Sequence, residues 1–335
     1  MYGEYTRQEI EDQPKVWKEI LDNPPCIEEI RNKEEIIYFG SGTSYYLALS
    51  LASFTQHYTG IPSRGVPSQE FIFFSNTVIS KRPTLYLGIS RSGETSEVMM
   101  AMEKVRSLGK GNFISITTKA KSQLTYKSER AIILESAKEN SVVMTKSFTS
   151  MLLGVQLGVL NGINSSDINI IKEKLPTSSQ RVLSLAREWA EKISREEYKE
   201  IIFLGSGPLY GIACESALKV REMSSSLTNA YHTLEFRHGP KASLTKDSIV
   251  ILLLSDSAKE EELRVIEEIR EIGGQYVIIG DKTSNGINID SELNEFLRLV
   301  LYMPFAQYLG YYRAIKKGLD PDMPLNLTQV VKLEL

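Results

Sequence analysis

The sequence predicts an α/β protein made of two tandem, doubly wound lobes, each a parallel sheet flanked by helices. Three observations carry that expectation. The segment EIIYFGSG at 35–42 returns as EIIFLGSG at 200–207, an offset of 165 residues. The same offset pairs TLYLGIS (84–90) with IVILLLS (249–255), and a third pair, NFISITT (112–118) and QYVIIGD (275–281), drifts by only two residues. All six are near-continuous apolar runs, the pattern of strands covered by helices on both sheet faces. One matched apolar run arises by chance. Three in the same order, with amphipathic stretches between them, indicate a duplicated βαβαβ unit.

The elements follow in order. A charged amphipathic stretch, 7–31, lies within a leader at 1–33. Lobe one is expected at 34–175, its second and third strands separated by the helical ETSEVMMAMEKVRSLG. MTKSFTSMLLGVQLGVLNGI (144–163) reads as a buried helix closing that lobe. LPTSSQRVLSLAREWAEKI (175–193) opens lobe two, expected at 176–317, with Pro176, Thr177, Ser178 and Ser179 marking the boundary and a Ser or Thr as N-cap. KEEELRVIEEIREIGG is the counterpart of the first lobe's middle helix, and 294–317 is helical and apolar. The tail, 318–335, contains two prolines and is expected to be an irregular loop over the active site.

Composition narrows the function. The 335 residues include 39 basic and 42 acidic side chains, a net charge of −3, which gives no basic field for a nucleic-acid backbone. No uninterrupted apolar run approaches the roughly 18 residues a membrane span needs. The N-terminus, MYGEYTRQEIEDQPK, lacks the apolar core of an export signal, and a cytoplasmic location is expected. Cys26 and Cys214 are far apart, and His57, His232 and His238 have no ligand-like spacing, so no protein-built metal site is expected.

Chemistry is expected where the repeats differ. Ligands of open α/β sheets bind beyond the carboxyl ends of the strands. The loop Ser90-Arg91-Ser92-Gly93-Glu94-Thr95 offers three hydroxyls, a glycine and a following helix N-terminus, the ingredients of an anion site. Its duplicate, Ser255-Asp256-Ser257-Ala258, puts a carboxylate where Arg91 stands and alanine where Gly93 stands. Lobe one is therefore expected to bind a phosphate and lobe two not. Gly40-Ser41-Gly42 lacks the third glycine of a dinucleotide fingerprint, and Gly88-Ile89-Ser90-Arg91-Ser92 misses the nucleophile elbow by one residue. Glu215, Lys219 and Glu222 fall on one helix face, at i, i+4 and i+7. They read either as a solvated salt-bridge ladder or, among Ala213, Cys214, Ala217, Leu218 and Met223, as buried charges with a task. His238 lies in a Gly-Pro turn, usually a surface setting, and is a modest catalytic candidate.

Together the motifs GSGTSYY (40–46), SRSGET (90–95), TKSFT (145–149), ESALKVREMS (215–224), EFRHGP (235–240) and DPDMPLNL (320–327), with the leader's QEIEDQP (8–14), resemble the sugar isomerase (SIS) family. The similarity extends along almost the whole chain. It is strongest to the isomerase half of glucosamine-6-phosphate synthases and to the stand-alone deaminases. The resemblance implies that Thr43, Ser44, Ser90, Arg91, Ser92 and Thr95 surround the phosphorylated end of a sugar, with Arg91 where synthases usually have glutamine. It implies that Glu222 shuttles a proton between C1 and C2. It gives His238 the ring-opening role, contributed by the neighbouring subunit of a homodimer. Lys219 and Glu215 would line the site, and Val142 and Lys146 would lie on the segment that contacts the sugar. One phosphosugar site per chain is implied.

Three departures shape the expected activity. The sequence starts at the isomerase leader, so no glutaminase domain is expected. Gln329 follows Asn326-Leu327-Thr328 where the synthases carry a reactive lysine, and Lys332 is out of register. Val143-Met144-Thr145 replaces Ala-Ser-Thr and resembles the stand-alone members. The expected function is a deaminase/isomerase that converts glucosamine 6-phosphate to fructose 6-phosphate and ammonia. Alternatives are an isomerase or deglycase for another sugar phosphate, ammonia-dependent synthesis, and a non-catalytic phosphosugar sensor.

Overall fold

The computed structural model describes residues 2–328 and 333. Ten strands form two five-stranded sheets, parallel throughout. The first contains β1 (Glu35–Gly40), β2 (Ser63–Pro67), β3 (Thr84–Ile89), β4 (Phe113–Thr117) and β5 (Arg130–Ile133), in the spatial order β2-β1-β3-β4-β5. The second contains β6 (Glu200–Leu204), β7 (Thr228–Tyr231), β8 (Ser248–Leu253), β9 (Gln275–Gly280) and β10 (Gly286–Asn288), ordered β10-β9-β8-β6-β7. Strand for strand, the two orders are the same. The duplication inferred from sequence is a duplication of topology.

The strands read from the apolar runs are the buried ones. Every residue of β1, β3, β4 and β8 is buried. Sequence reading missed the four edge strands, β2, β5, β7 and β10. They are only three to five residues long, and none carries the long apolar run of the inner strands. Even so, β2 and β7 begin 165 residues apart. The first core packs Ile37, Phe39, Phe71, Tyr86 and Phe113 against Val98, Met102 and Val105 of the Ser96–Ser107 helix. The second packs Ile202, Leu204, Val250 and Leu252 against Val265 and Ile269 of the Lys259–Glu271 helix. Each such side chain contributes about 1.5–3 kcal/mol when fully buried.

The expected helix at 144–163 is Lys146–Gly162, and it is buried on almost every face. The helix start expected at Pro176 is corrected by the structure. One helix runs unbroken from Asp167 to Ser194 with Pro176 inside it. Thr177, Ser178 and Ser179 do not act as N-caps. The hydroxyls of Thr177 and Ser178 donate to the Lys174 carbonyl at 2.8 and 3.1 Å, and that of Ser179 to the Pro176 carbonyl at 2.9 Å. The buried stripe Ile171, Leu175, Ser178 and Val182 passes straight through the proline. Packing of that stripe offsets the roughly 3 kcal/mol that an interior proline costs. At the other end, the expected helix at 294–317 is shorter: a 3-10 turn, Leu299–Tyr302, leads into Met303–Lys316.

The chain divides into two compact units. The first unit is built mainly from Lys15–Glu139 and Lys146–Asn169 and holds the first sheet. The second takes the leader up to Pro14, the strip Asn140–Thr145 and Ile170–Leu327, with the second sheet. Two acidic groups tie the leader into the second unit. Buried Glu9 accepts hydrogen bonds from the Asn140 and Ser141 N–H groups and from the Ser141 hydroxyl. Asp322 accepts from the Tyr5 and Thr6 N–H groups and the Thr6 hydroxyl, while its carbonyl takes the Val142 N–H at 2.9 Å. Among the described residues, no helix is long and apolar enough to cross a membrane.

Candidate functional site

In the order β2-β1-β3 the chain leaves β1 and β3 toward opposite sides, so the loops beyond these two strands flank a topological switch point. In the first unit these loops carry hydroxyls. After β1 the chain turns at Gly42 (φ +57°), a conformation that favours glycine, and the Thr43–Thr59 helix begins with buried Thr43 and Ser44. After β3 comes 90–95. The Ser90 hydroxyl lies 2.8 Å from that of Thr95 and 3.4 Å from that of Ser92, and it accepts the Gly93 N–H at 3.0 Å. Ser92 accepts the Glu94 N–H at 3.1 Å. Gly93 sits at φ +67°, and a Cβ there would fall 2.2 Å from the Ser122 hydroxyl. The loop therefore needs glycine, and its hydroxyls are gathered before any ligand arrives.

Arg91 and Lys146 belong to the same unit. The Arg91 guanidinium is ion-paired with Glu139 at 3.1 Å. Glu139 is wholly buried and also accepts the Ser147 N–H at 3.0 Å, in the first turn of the helix that Lys146 opens. Sequence reasoning missed Glu139, which sits in the charged run ESAKEN and looks like a solvated loop.

The second unit has the same switch point with different contents. Gly207 (φ +55°, ψ −128°) repeats the backbone of Gly42 (φ +57°, ψ −126°), but Pro208 and Leu209 stand where Thr43 and Ser44 stand. The loop after β8 is occupied by the protein's own carboxylates. Glu295 accepts the Asp256 N–H at 2.6 Å, the Ser257 N–H at 3.3 Å and the Ser257 hydroxyl. Glu262 accepts the Ser255 N–H at 2.8 Å and its hydroxyl at 3.0 Å. Asp256 pairs with buried Arg298 at 2.6 Å. Asp256 and Ala258 were the sequence signals; Glu295 and Arg298 gave none.

The helix starting at this second switch point, Pro208–Ser224, carries the ladder. It is not a solvated one. Glu215 and Lys219 are buried, with Lys219 Nζ 3.4 Å from Glu215 Oε1 and paired on its other side with Glu222. Glu222 alone is partly open, at 19%. It borders a pocket of about 540 Å³ lined by Leu218, Arg221, Ser225, Ser226, Leu227, Leu325 and Leu327. Leu325 and Leu327 bring the described part of the tail to this pocket. Val142 is half-buried, and neighbouring Val143 packs on Met223 and Ala314. His238 ends the exposed 3-10 turn Glu235–His238. Gln329 and Lys332 lie outside the described residues. The geometry therefore provides hydroxyls arranged for an anion in one unit and a salt-bridged, partly open carboxylate in the other.

Comparison with known proteins agrees with the duplicated fold. The family model described as the SIS domain matches residues 29–160 and 194–295. The chain is 30% identical over 345 residues to the glutamine–fructose-6-phosphate aminotransferase (isomerizing) of Sulfurisphaera tokodaii, covering 99% of this chain and 57% of that protein. It thus spans under three-fifths of that relative's length. Among solved structures, the glucosamine-6-phosphate deaminase of Thermotoga maritima superposes with a TM-score of 0.87 at 29% identity, over 98% of this chain and 100% of that one. The C-terminal domain of glucosamine-fructose-6-phosphate aminotransferase from Francisella tularensis gives 0.82 at 25%, over 96% and 99%. The chain belongs to the SIS domain family, with one matched segment in each of its repeats.

Proposed function

We propose that the protein is a phosphosugar isomerase that also deaminates, converting glucosamine 6-phosphate and water to fructose 6-phosphate and ammonia. The observation that carries this reading is the Glu215–Lys219–Glu222 ladder, two of its members buried and the third open to a pocket. A purely structural ladder of this kind would save little by burying its charges. The end-to-end match to the Thermotoga maritima deaminase supports the direction.

In this reading the hydroxyls of Ser90, Ser92 and Thr95, with Thr43, Ser44 and Arg91, take the phosphate. Val142 and Lys146 flank the sugar. His238 assists ring opening, which exposes the C1 aldehyde. Glu222 removes the C2 proton and returns it at C1 while one amine proton passes to O1, so that the amine-bearing C2 becomes an imine and C1 an alcohol. Water then adds to C2 and ammonia leaves. One carboxylate can serve both carbons because they are adjacent. Lys219 holds that carboxylate in place, and Glu215 holds Lys219. No metal or organic cofactor enters these steps.

In this reading His238, exposed within one chain, is contributed across a homodimer in which each copy completes the other's site. Mixing a Glu222→Gln protein with a His238→Ala protein tests that sharing: activity regained by the mixture supports it, and no recovery rules it out. The reaction itself is tested by incubating the pure protein with glucosamine 6-phosphate and measuring both products. Ammonia and fructose 6-phosphate should appear in equal amounts, and E222Q should release neither. Ammonia release unchanged in E222Q would sink the mechanism. The synthase relatives give one second reading, the reverse reaction, which the same assay checks with fructose 6-phosphate and ammonium as substrates.

A further inference from the structure

The second residue of the loop after the middle strand forms an ion pair in both repeats, with opposite polarity. In the first unit the loop provides the cation, Arg91, and the buried partner is the anion, Glu139. In the second the loop provides the anion, Asp256, and the buried partner is the cation, Arg298. Neither buried partner is a repeat of the other. Glu139 precedes the Lys146–Gly162 helix, whereas Arg298 precedes the Leu299–Tyr302 turn.

We infer that Glu139 is a positioning residue for phosphate binding, acting through Arg91. This rests on the proposed function and adds to it a residue that orients the anion loop. Two independent anchors fix Arg91. Its carbonyl accepts the Thr118 N–H at 3.3 Å and the Thr117 and Thr118 hydroxyls at 3.1 Å each, which pins the loop backbone to the end of β4. Its guanidinium is held from the other side by Glu139 at 3.1 Å. Glu139 is itself fixed: its Oε1 accepts the Ser147 N–H at 3.0 Å and its Oε2 the Ser147 hydroxyl. A carboxylate at the start of a 17-residue helix is also favoured by the helix dipole. The guanidinium is thereby aimed by a rigid, wholly buried anchor. Removing the Glu139 charge takes a buried ion pair away from the largely buried Arg91 guanidinium, and the loop loses that part of its orientation. The second repeat, with its polarity inverted, places a carboxylate at the same position of its loop.

A double-mutant cycle tests this. Arg91→Gln, Glu139→Gln and the double variant are titrated calorimetrically with fructose 6-phosphate, with thermal unfolding followed in parallel. Each single variant should bind about tenfold more weakly, a coupling typical of contacting groups, and the double variant no worse than R91Q alone. A helix cap alone predicts the opposite: E139Q then weakens binding by the same factor in both backgrounds, or not at all, and either result overturns the inference. Glu139→Asp keeps the charge but shortens its reach, and it covers the case in which E139Q does not fold. It should bind several-fold more weakly, and an unchanged affinity overturns the inference. A wild-type chain that binds no fructose 6-phosphate overturns the proposed function as well, whereas additive losses overturn the positioning role alone.

Discussion

The two units share one topology and almost nothing of their chemistry. At the switch point of the first sheet stand hydroxyls: Thr43 and Ser44 after β1, and Ser90, Ser92 and Thr95 after β3. At the same point of the second stand Pro208, Leu209 and a loop closed by Glu295 and Glu262. On the helices that follow, the contrast reverses. The second unit carries Glu215, Lys219 and Glu222, while the first has Ser50, Phe54 and His57 at the same offset. Duplication supplied two equivalent places for a ligand. In the two copies those places are lined by different side chains.

The comparison can be broken most sharply at the proposed base. Glu222→Gln should lower turnover of glucosamine 6-phosphate by about 10³-fold, the range of a lost general base, while His57→Ala should leave it within about twofold. Equal losses would mean that the repeats are not specialised. The next largest effect is at the fourth residue of the loop. Gly93→Ala forces an alanine to φ +67° against Ser122 and should cost roughly 1–3 kcal/mol of stability, together with phosphate binding. The reciprocal change, Ala258→Gly, replaces a residue already at φ −118° and should cost no more than about 1 kcal/mol in a thermal melt.

Closing the second loop is expected to be structural. Glu295→Ala removes the acceptor of two backbone N–H groups and one hydroxyl, and should destabilise the fold by about 1–3 kcal/mol while fructose 6-phosphate binds as before. A weakened sugar phosphate affinity would show that the second loop takes part in binding.

The smallest effect concerns pH. His232 is exposed at its edge but stacks on Tyr210 at 3.7 Å between ring centroids, and this partial desolvation lowers its pKa from the usual 6.5 against the opposing pull of Glu235. The unfolded chain then binds the extra proton first. The stability His232 adds is present above pH 6.5 and is lost as pH falls through its lower folded value. His232→Gln should flatten that part of the melting-temperature profile. The first repeat, with Pro67 at this offset, has no such term.

How much of this was legible in the sequence follows from what each feature rests on. The buried strands β1, β3, β4, β6, β8 and β9 announce themselves because a strand covered on both faces must be apolar throughout. The short edge strands are stabilised by pairing with a neighbour, which leaves no local pattern. Pro176 misled because propensity is local while the stripe of Ile171, Leu175 and Val182 that overrides it is tertiary. The hydroxyl loop was readable from its departure at Asp256 and Ala258. Its supports were not: Glu139, Glu295 and Arg298 act across long sequence separations, and in the sequence a buried acid looks like any surface acid. The ladder at 215–222 was ambiguous because helix periodicity places three charges on one face without saying whether that face meets water.

The measurement that bears most directly on the division of labour is a kinetic comparison of Ser90→Ala/Ser92→Ala with Glu222→Gln, following ammonia release from glucosamine 6-phosphate. The hydroxyl variant should raise KM with kcat largely kept, and the carboxylate variant should lose kcat with KM little changed. Loss of kcat from the hydroxyl variant alongside full turnover by E222Q would contradict the assignment of binding to one repeat and proton transfer to the other.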